Sequence, residues 1–544
     1  MDGFPVFSYT CIRYPQGGEI MNPRMKHMVV AAAVFGMLNV PVCRGAYVRI
    51  VPDHYASIQD AIDAAQDDDT VLIRDGEYTG SGNYDIRFMG KTITVRSENG
   101  PGNCIIDCLG QGRGFIFDGD ETADARLDGV TITGARTTGT ESGAGIICAH
   151  ASPQIYNCVI KNCSSEASGS GIFLWRSTAD IVNCIIESNT AELNGGGLMI
   201  YFNNPTIVNC IIRNNTAGVY GGGIHLFSTE DARIWNCLVA GNGSSDAGGG
   251  IMNSQSGAVL TNCTITGNSA GEPGGGIAVT DDCAPVILNS IIWDNVPDAL
   301  AALSGAEPSV TYCNVAGGYP GTGNIDADPL FCSAAGFDVF LSHTEAGQSA
   351  DSPCIDAGSD AAEALCIDFS GAVVCIDTLT TRTDGLTDTG TADMGCHSAD
   401  RACTETGVRL DMPGHSFTAG DTFYLVNNVC NITGETLEGY VLFIALEIYG
   451  DLWFAPDWRP PHRAPCFYDM SFPPGLTEII VIPEFIMPEL PVSYWGLHFW
   501  SILSDPDMTQ LLGDMDVWTF DMLASERISR APIREMDPAV YAVR

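Results

Sequence analysis

Basic residues are scarce in this chain. Lys and Arg number 25 among 544 residues, against 66 Asp and Glu, for a formal net charge of −41. Affinity for nucleic acid comes largely from Lys and Arg neutralising phosphates, so this composition argues against a nucleic-acid partner. The same excess of negative charge argues against an anionic membrane surface and fits solubility in an extracellular setting. Long apolar runs are scarce too. Met28 to Val42 is apolar but too short to span a bilayer comfortably, follows Arg24 and Lys26, and leads to the small residues Gly45 and Ala46. That is the pattern of a secretory signal cleaved near Gly45. Residues 1–20 look unlike a targeting segment, which makes Met21 or Met25 the expected start. No later run is long and apolar enough to cross a membrane. Helical periodicity is missing between the repeats described next, which excludes helical and leucine-rich repeats.

Glycine is plentiful, 61 residues, and much of it is periodic. Gly143-Ala144-Gly145, Gly169-Ser170-Gly171, Gly195-Gly196-Gly197, Gly221-Gly222-Gly223, Gly248-Gly249-Gly250 and Gly274-Gly275-Gly276 start 26 or 27 residues apart. In step with them run Asn157-Cys158, Asn183-Cys184, Asn209-Cys210, Asn236-Cys237, Asn262-Cys263 and Asn289-Ser290, then Asn189, Asn215, Asn242, Asn268 and Asn295. Between these markers residues alternate with period two. Cys158 and Ile160, Cys184 and Ile186, Cys237 and Val239, and Cys263 and Ile265 point inward, and Thr264 and Thr266 point outward. Each unit is therefore a coil of three short strands. Asn and Gly tolerate the left-handed backbone of a sharp corner, and stacked Asn amides can bond along the axis. One coil buries too little apolar surface alone; the stack makes the core.

The ladder cysteines read as thiols packed as small apolar residues, because parallel Cβ vectors suit a disulfide poorly. Cys430 and Cys466 are the candidates for a disulfide. Ser57–Ala65, with Ile58, Ala61, Ile62 and Ala65 on one face, reads as a helix capping the first coil. A degenerate coil at Val310–Val315 ends the stack, followed by Asp328–Phe331 and Ser352–Gly358.

These segments carry a resemblance. Tyr47–Glu77 resembles the opening of bacterial secreted right-handed parallel β-helix proteins of the pectin-lyase-like superfamily. The Gly-triplet and Asn-Cys coils resemble polymorphic outer-membrane-protein-like repeats. Asp328–Phe331, Ser352–Gly358, Thr381–Gly385 and Asp388–Gly390 resemble the closing segment of such proteins. The resemblance covers about residues 47–400 and implies an all-β right-handed parallel β-helix. It implies little about activity, since the superfamily holds lyases, hydrolases and adhesins.

The expected organisation is an upstream extension and signal peptide at 1–46, the β-helix at 47–331, an irregular closing segment at 332–403, a β-sandwich at 404–523, and a disordered tail at 524–544. The sandwich rests on short apolar runs (Val441–Ile448, Ile479–Ile482, Trp495–Leu503) between Pro- and Gly-rich turns. Its Trp453, Trp458 and Trp495 read as core aromatics, with a sugar platform as the alternative.

Lyase or hydrolase chemistry on a β-helix needs carboxylates stacked one period apart, with Arg or Lys for a lyase. After the Gly triplets the outward positions are Ile147/Ala149, Phe173/Trp175, Met199/Tyr201, His225/Phe227, Met252/Ser254 and Ala278/Thr280, and none is acidic. They carry instead an aromatic ladder, Trp175, Tyr201 and Phe227, flanked by Phe173, Arg176 and His225. Aromatic faces bind pyranose rings by apolar contact. The expectation is a secreted or cell-surface protein that binds glycans or another surface ligand there without catalysis. The alternatives are a polysaccharide lyase or glycoside hydrolase with a loop-built site, and a structural spacer or adhesin stalk. A loop or the C-terminal domain covering the ladder is the competing account of the rings. No cofactor is required. Calcium is possible at Asp384, Asp388 and Asp393 in a Gly-rich loop, though no bidentate Glu completes the pattern.

Overall fold

The computed structural model describes residues 46–398, except 282, 335–336, 347, 371 and 383–385, and beyond them the strands between 407 and 522, mostly as backbone. The expected signal peptide, the tail, Asp384 and Cys466 lie outside the described residues, as do the side chains of Cys430, Trp453 and Trp495.

From Val48 to Val315 the chain winds as a right-handed parallel solenoid. Three long sheets of 11, 10 and 9 strands run its length. Three strands per coil were expected; a fourth strip of six two-residue strands adds a short face after the second sheet. One coil shows the order. Thr206–Val208 belongs to the first sheet, Ile211–Arg213 to the second, Thr216–Ala217 to the short strip, and Ile224–Phe227 to the third. Every rung within the solenoid is parallel, and register follows the repeat: Ile181 pairs with Ile207 and Ile207 with Ile234, as Ile186 pairs with Ile212 and Ile212 with Val239.

The corners explain the sequence markers. Asn157, Asn183, Asn209, Asn236, Asn262 and Asn289 all sit at φ between 50° and 53°, turning the chain from the first sheet into the second. A left-handed residue with a short polar side chain suits that bend. The second Asn column is buried and forms a continuous ladder. Nδ2 of Asn189, Asn215, Asn242 and Asn268 each donates to Oδ1 of the next Asn at 3.0, 3.0, 3.0 and 2.9 Å. The middle glycines mark close backbone approach: a Cβ on Gly222 would lie 2.3 Å from Gly243 O.

One continuous core fills the solenoid, built from Ile, Leu, Val and the cysteines. Each fully buried aliphatic side chain contributes roughly 1.5–3 kcal/mol. The ladder cysteines are free and buried, as expected. Their thiols donate to backbone carbonyls, Cys210 Sγ to Val208 O at 3.3 Å, while Cys184 N–H donates to Cys210 Sγ at 3.4 Å. A helix at Ile58–Ala64 follows Ser57, whose hydroxyl accepts the Asp60 N–H, and Ile58, Ala61 and Ile62 enter the same core.

The segment read as irregular folds back as a strap along the outside of the solenoid. Its Ala362, Ile367, Phe369, Ile376, Leu379 and Ala392 pack on Val182, Val208 and Trp235 of the first sheet. Val339 and Cys396 pack on Leu238 of the second, and Leu341, Cys354 and Met394 on Ile291. The Asn corner column ties it down: Asn236 accepts the His397 N–H at 2.6 Å and donates to His397 O, and Asn262 donates to Asp393 O at 3.2 Å. Thr264 does point outward, but the strap buries it, and its hydroxyl accepts the Cys396 N–H at 3.0 Å.

Beyond the strap, strands pair into a three-stranded sheet (Gly407–Asp411, Thr422–Asn431, Gly475–Ile486) and a second, six-stranded sheet around Leu437–Ile448, Tyr494–Ser504 and Leu511–Met522. The three apolar runs of the sequence fall in these strands, and the long pairings are antiparallel.

Candidate functional site

The aromatic ladder lies on the third sheet, where alternation aims every second side chain outward. Ala149, Trp175 and Tyr201 are register partners on successive strands, and Tyr201 is followed by Phe227 and then Ser254. Parallel neighbours stand about 4.8 Å apart, so the three rings span roughly 10 Å. The Tyr201 and Phe227 rings stack at 5.0 Å and 20°. Trp175 is 38% exposed and meets His150 edge-on at 4.7 Å. Arg176 is exposed, its guanidinium 6.0 Å from the Trp175 ring centre.

The structure adds a residue that sequence reasoning missed. Phe202 follows Tyr201, is 39% exposed, and packs edge-on against Tyr201 at 4.3 Å. Its φ is 55°, in a column of corner residues that includes His150 at 59° and Arg176 at 50°. A bulky aromatic in this left-handed region is costly and uncommon. The signal was visible as a third ring-bearing position in the same repeat.

His225 does not join the exposed surface. It is 4% exposed, with Nε2 3.4 Å from Ser254 Oγ, and burial pushes its pKa down to about 4. Its column neighbours are Met199 and Met252, so the position is an apolar seat. Phe173, two coils earlier in the same column, is half-buried. None of the apolar clusters the strap builds contains a ladder residue; they lie on the first and second sheets.

The second candidate lies in the strap. Asp388 and Asp393 are both buried, and they converge with His397, which no sequence motif pointed to. Asp393 Oδ1 accepts the Asp356 N–H at 2.8 Å, and its Oδ2 accepts the Thr381 hydroxyl and lies 3.5 Å from His343 Nε2. Burial opposes ionisation of Asp393, but the His343 and Thr381 bonds and the nearby His397 outweigh it and hold the carboxyl below its usual range. Burial and the Asp393 and Asp388 charges raise Asp356. Asp388 Oδ2 accepts the Asp393 N–H and lies 2.8 Å from His397 Nε2, while His397 Nδ1 lies 3.0 Å from Gly395 O. Both ring nitrogens therefore face oxygen. These bonds knit the strap; a divalent ion would have to displace them. The site offers an imidazole nitrogen where calcium sites offer oxygen.

Residues 144–316 match the family model described as a right handed beta helix region. Among solved structures, similarity is found to a PL6 family alginate lyase, AlyGC, at 10% identity and a TM-score of 0.24, over 55% of this chain and 56% of that one. The chain thus spans just over half the length of that relative. No curated protein sequence matches.

Proposed function

We propose that this protein is a secreted or cell-surface binding protein, and that it holds a glycan by ring stacking along the third sheet of its β-helix. The observation that carries this reading is the outward column Trp175, Tyr201 and Phe227, one ring per coil in parallel register, widened by Phe202 and left exposed at its Trp175 and Phe202 edges. Solvated rings in a row are costly to leave in water unless they serve a partner. A pyranose offers a flat apolar face to the exposed Trp175 and Phe202 rings, while Tyr201 and Phe227, stacked on each other, extend the apolar strip. The column ends in Ala149 on one side and Ser254 on the other, which bounds the platform to a few sugar units. Arg176 beside Trp175 supplies a hydrogen-bond donor at one end.

Polysaccharide cleavage is the weaker reading. Outward positions on the third sheet between Ile146 and Thr280 carry no carboxylate, and acid–base cleavage of a glycosidic bond needs a pair of them.

The test is retention on a glycan array by the wild-type chain and by a Trp175→Ala/Tyr201→Ala variant. Loss of retention, with the circular dichroism of the solenoid unchanged, supports the platform. Equal retention removes the ladder from the function. Release of reducing ends or of unsaturated products from a polysaccharide panel would favour catalysis instead.

A further inference from the structure

Among the described residues one disulfide closes, Cys366 to Cys375, and it sits on the surface of the strap. The two cysteines face each other across an antiparallel hairpin, Cys366–Phe369 with Ala372–Cys375. Cys366 is exposed and Cys375 half-exposed, whereas the ladder thiols are buried. On its inner face the hairpin lays Ile367 and Phe369 against Val182, Val208 and Trp235. Polar contacts to the solenoid are few: the Ser370 hydroxyl donates to Asp180, and Arg233 Nη1 donates to Asp368 O at 3.1 Å. Burial raises Asp180, against the Ser370 bond and the Arg233 charge. A two-stranded hairpin is marginal alone, and this one has a thin apolar base. The bond closes a short loop, and removing it frees the hairpin to open.

We propose that Cys366–Cys375 is a redox clasp. Closed, it holds the hairpin over the apolar strip centred on Trp235. Reduced, the hairpin lifts and bares that strip while the solenoid stays wound. A small dithiol is sufficient reductant. Its thiolate attacks one sulfur, the S–S bond breaks, and the other cysteine leaves as a thiolate and takes up a proton. The second thiol of the reductant then displaces the attacked cysteine from this mixed disulfide, and that cysteine takes up the second proton. Two electrons and two protons have passed to the protein, and the reductant has closed to its own disulfide. The ladder thiols take no part, because they are buried; burial likewise pushes Cys163 and the strap's Cys396 up to about 12.

The full chain is treated with dithiothreitol under native conditions, reduction of Cys366 and Cys375 is verified by alkylation and mass spectrometry, and chymotrypsin is added. Phe369 is buried in the closed state. Cleavage after Phe369 is expected to accelerate about 100-fold on reduction, in line with the loss of loop closure. A Cys366→Ser/Cys375→Ser variant should be cleaved at the fast rate without reductant. Tryptophan emission should shift to the red on reduction, and Trp235→Phe should abolish the shift. The proposal is overturned if Phe369 stays equally resistant once both thiols are free. It is also overturned if the pair is reduced only after denaturation, or if reduction melts the solenoid along with the hairpin.

Discussion

The buried Asn ladder sets a perturbation whose cost follows from its bonds. In Asn242→Ala four polar groups on three neighbours lose a partner. Asn242 Oδ1 accepts from the Asn215 N–H at 2.9 Å and from Asn215 Nδ2 at 3.0 Å. Asn242 Nδ2 donates to Ile212 O at 2.9 Å and to Asn268 Oδ1 at 3.0 Å. Asn268 Oδ1 keeps the Asn242 N–H, which a mutation to Ala preserves, and Asn215 Nδ2 keeps Ile186 O. The groups left wanting are the Asn215 N–H in full, and Ile212 O, which keeps its place in the strand ladder, and two amide bonds in part. At about 1–3 kcal/mol for each unsatisfied buried group, the expected cost is roughly 3–6 kcal/mol. Asn214 offers the control: it is exposed, and its column position is glycine in the next coil, at Gly241. Asn214→Gly should cost within about 0.5 kcal/mol. The assay is urea unfolding followed by circular dichroism, with hydrogen exchange at Asn215 and Ile212 reporting the local effect. A long repeat array can lose cooperativity, so the exchange data decide if the transition broadens. If Asn242→Ala costs under about 1 kcal/mol and leaves Asn215 protected, the ladder is decoration rather than support.

Other outcomes follow from the same geometry. Cys210→Ser should be tolerated better than Cys210→Val, because Ser290 already serves in the ladder, accepting the Cys263 N–H at 3.1 Å and donating to Leu288 O at 2.8 Å; urea midpoints rank the pair. His225 is neutral when folded and its pKa lies near 4, below the ordinary 6.5. The unfolded chain thus binds the extra proton first, so His225's contribution is complete above about pH 6.5 and fades as pH falls toward 4. His225→Met should flatten the melting temperature over that window, and an unchanged slope would clear His225 of the effect. Cys163, pushed up to about 12 by burial, acts at the other extreme. Its unfolded thiol ionises first, so stability should fall as pH rises past about 9, and the buried cysteines should resist alkylation until the chain unfolds. Asp393→Ala should cost about 3–5 kcal/mol, since it strands His343, Thr381 and the Asp356 N–H, and calcium should not restore the loss. A calcium-dependent rise in the wild-type melting temperature would instead reveal an ion site at Asp388, Asp393 and His397.

Much of the solenoid is legible in the chain because its physics is local and repeated. The corner at Asn209 recurs in six successive coils, and its inward pair, here Cys210 and Ile212, in five of them with Ser290 in the sixth, so a single unit predicts its neighbours. The fourth strip escaped notice because two residues, such as Thr216–Ala217, are too few to show alternation. The strap was illegible for another reason: its contacts cross 131 to 161 residues, as between Asn262 and Asp393 or Asn236 and His397. A trace of it was nevertheless present. Tyr156, Val182, Val208 and Trp235 form an outward apolar column on the first sheet, which in hindsight demands a cover. The ring column of the third sheet was legible from period alone. That His225 turns out buried was not, because its burial depends on the Gly-triplet corner folding close beside it.

The claim beneath all of this is that residues one period apart are vertical neighbours. Thr190 and Thr216 are Cα partners on the short strip, and both are exposed. Thr178 is nearer to Thr190 in sequence but sits at a different corner of the coil. Pyrene attached to cysteines introduced at 190 and 216 should give strong excimer emission, and pyrene at 178 and 190 should give none. Excimer from the second pair and not the first would contradict the stacking, and the ring platform with it.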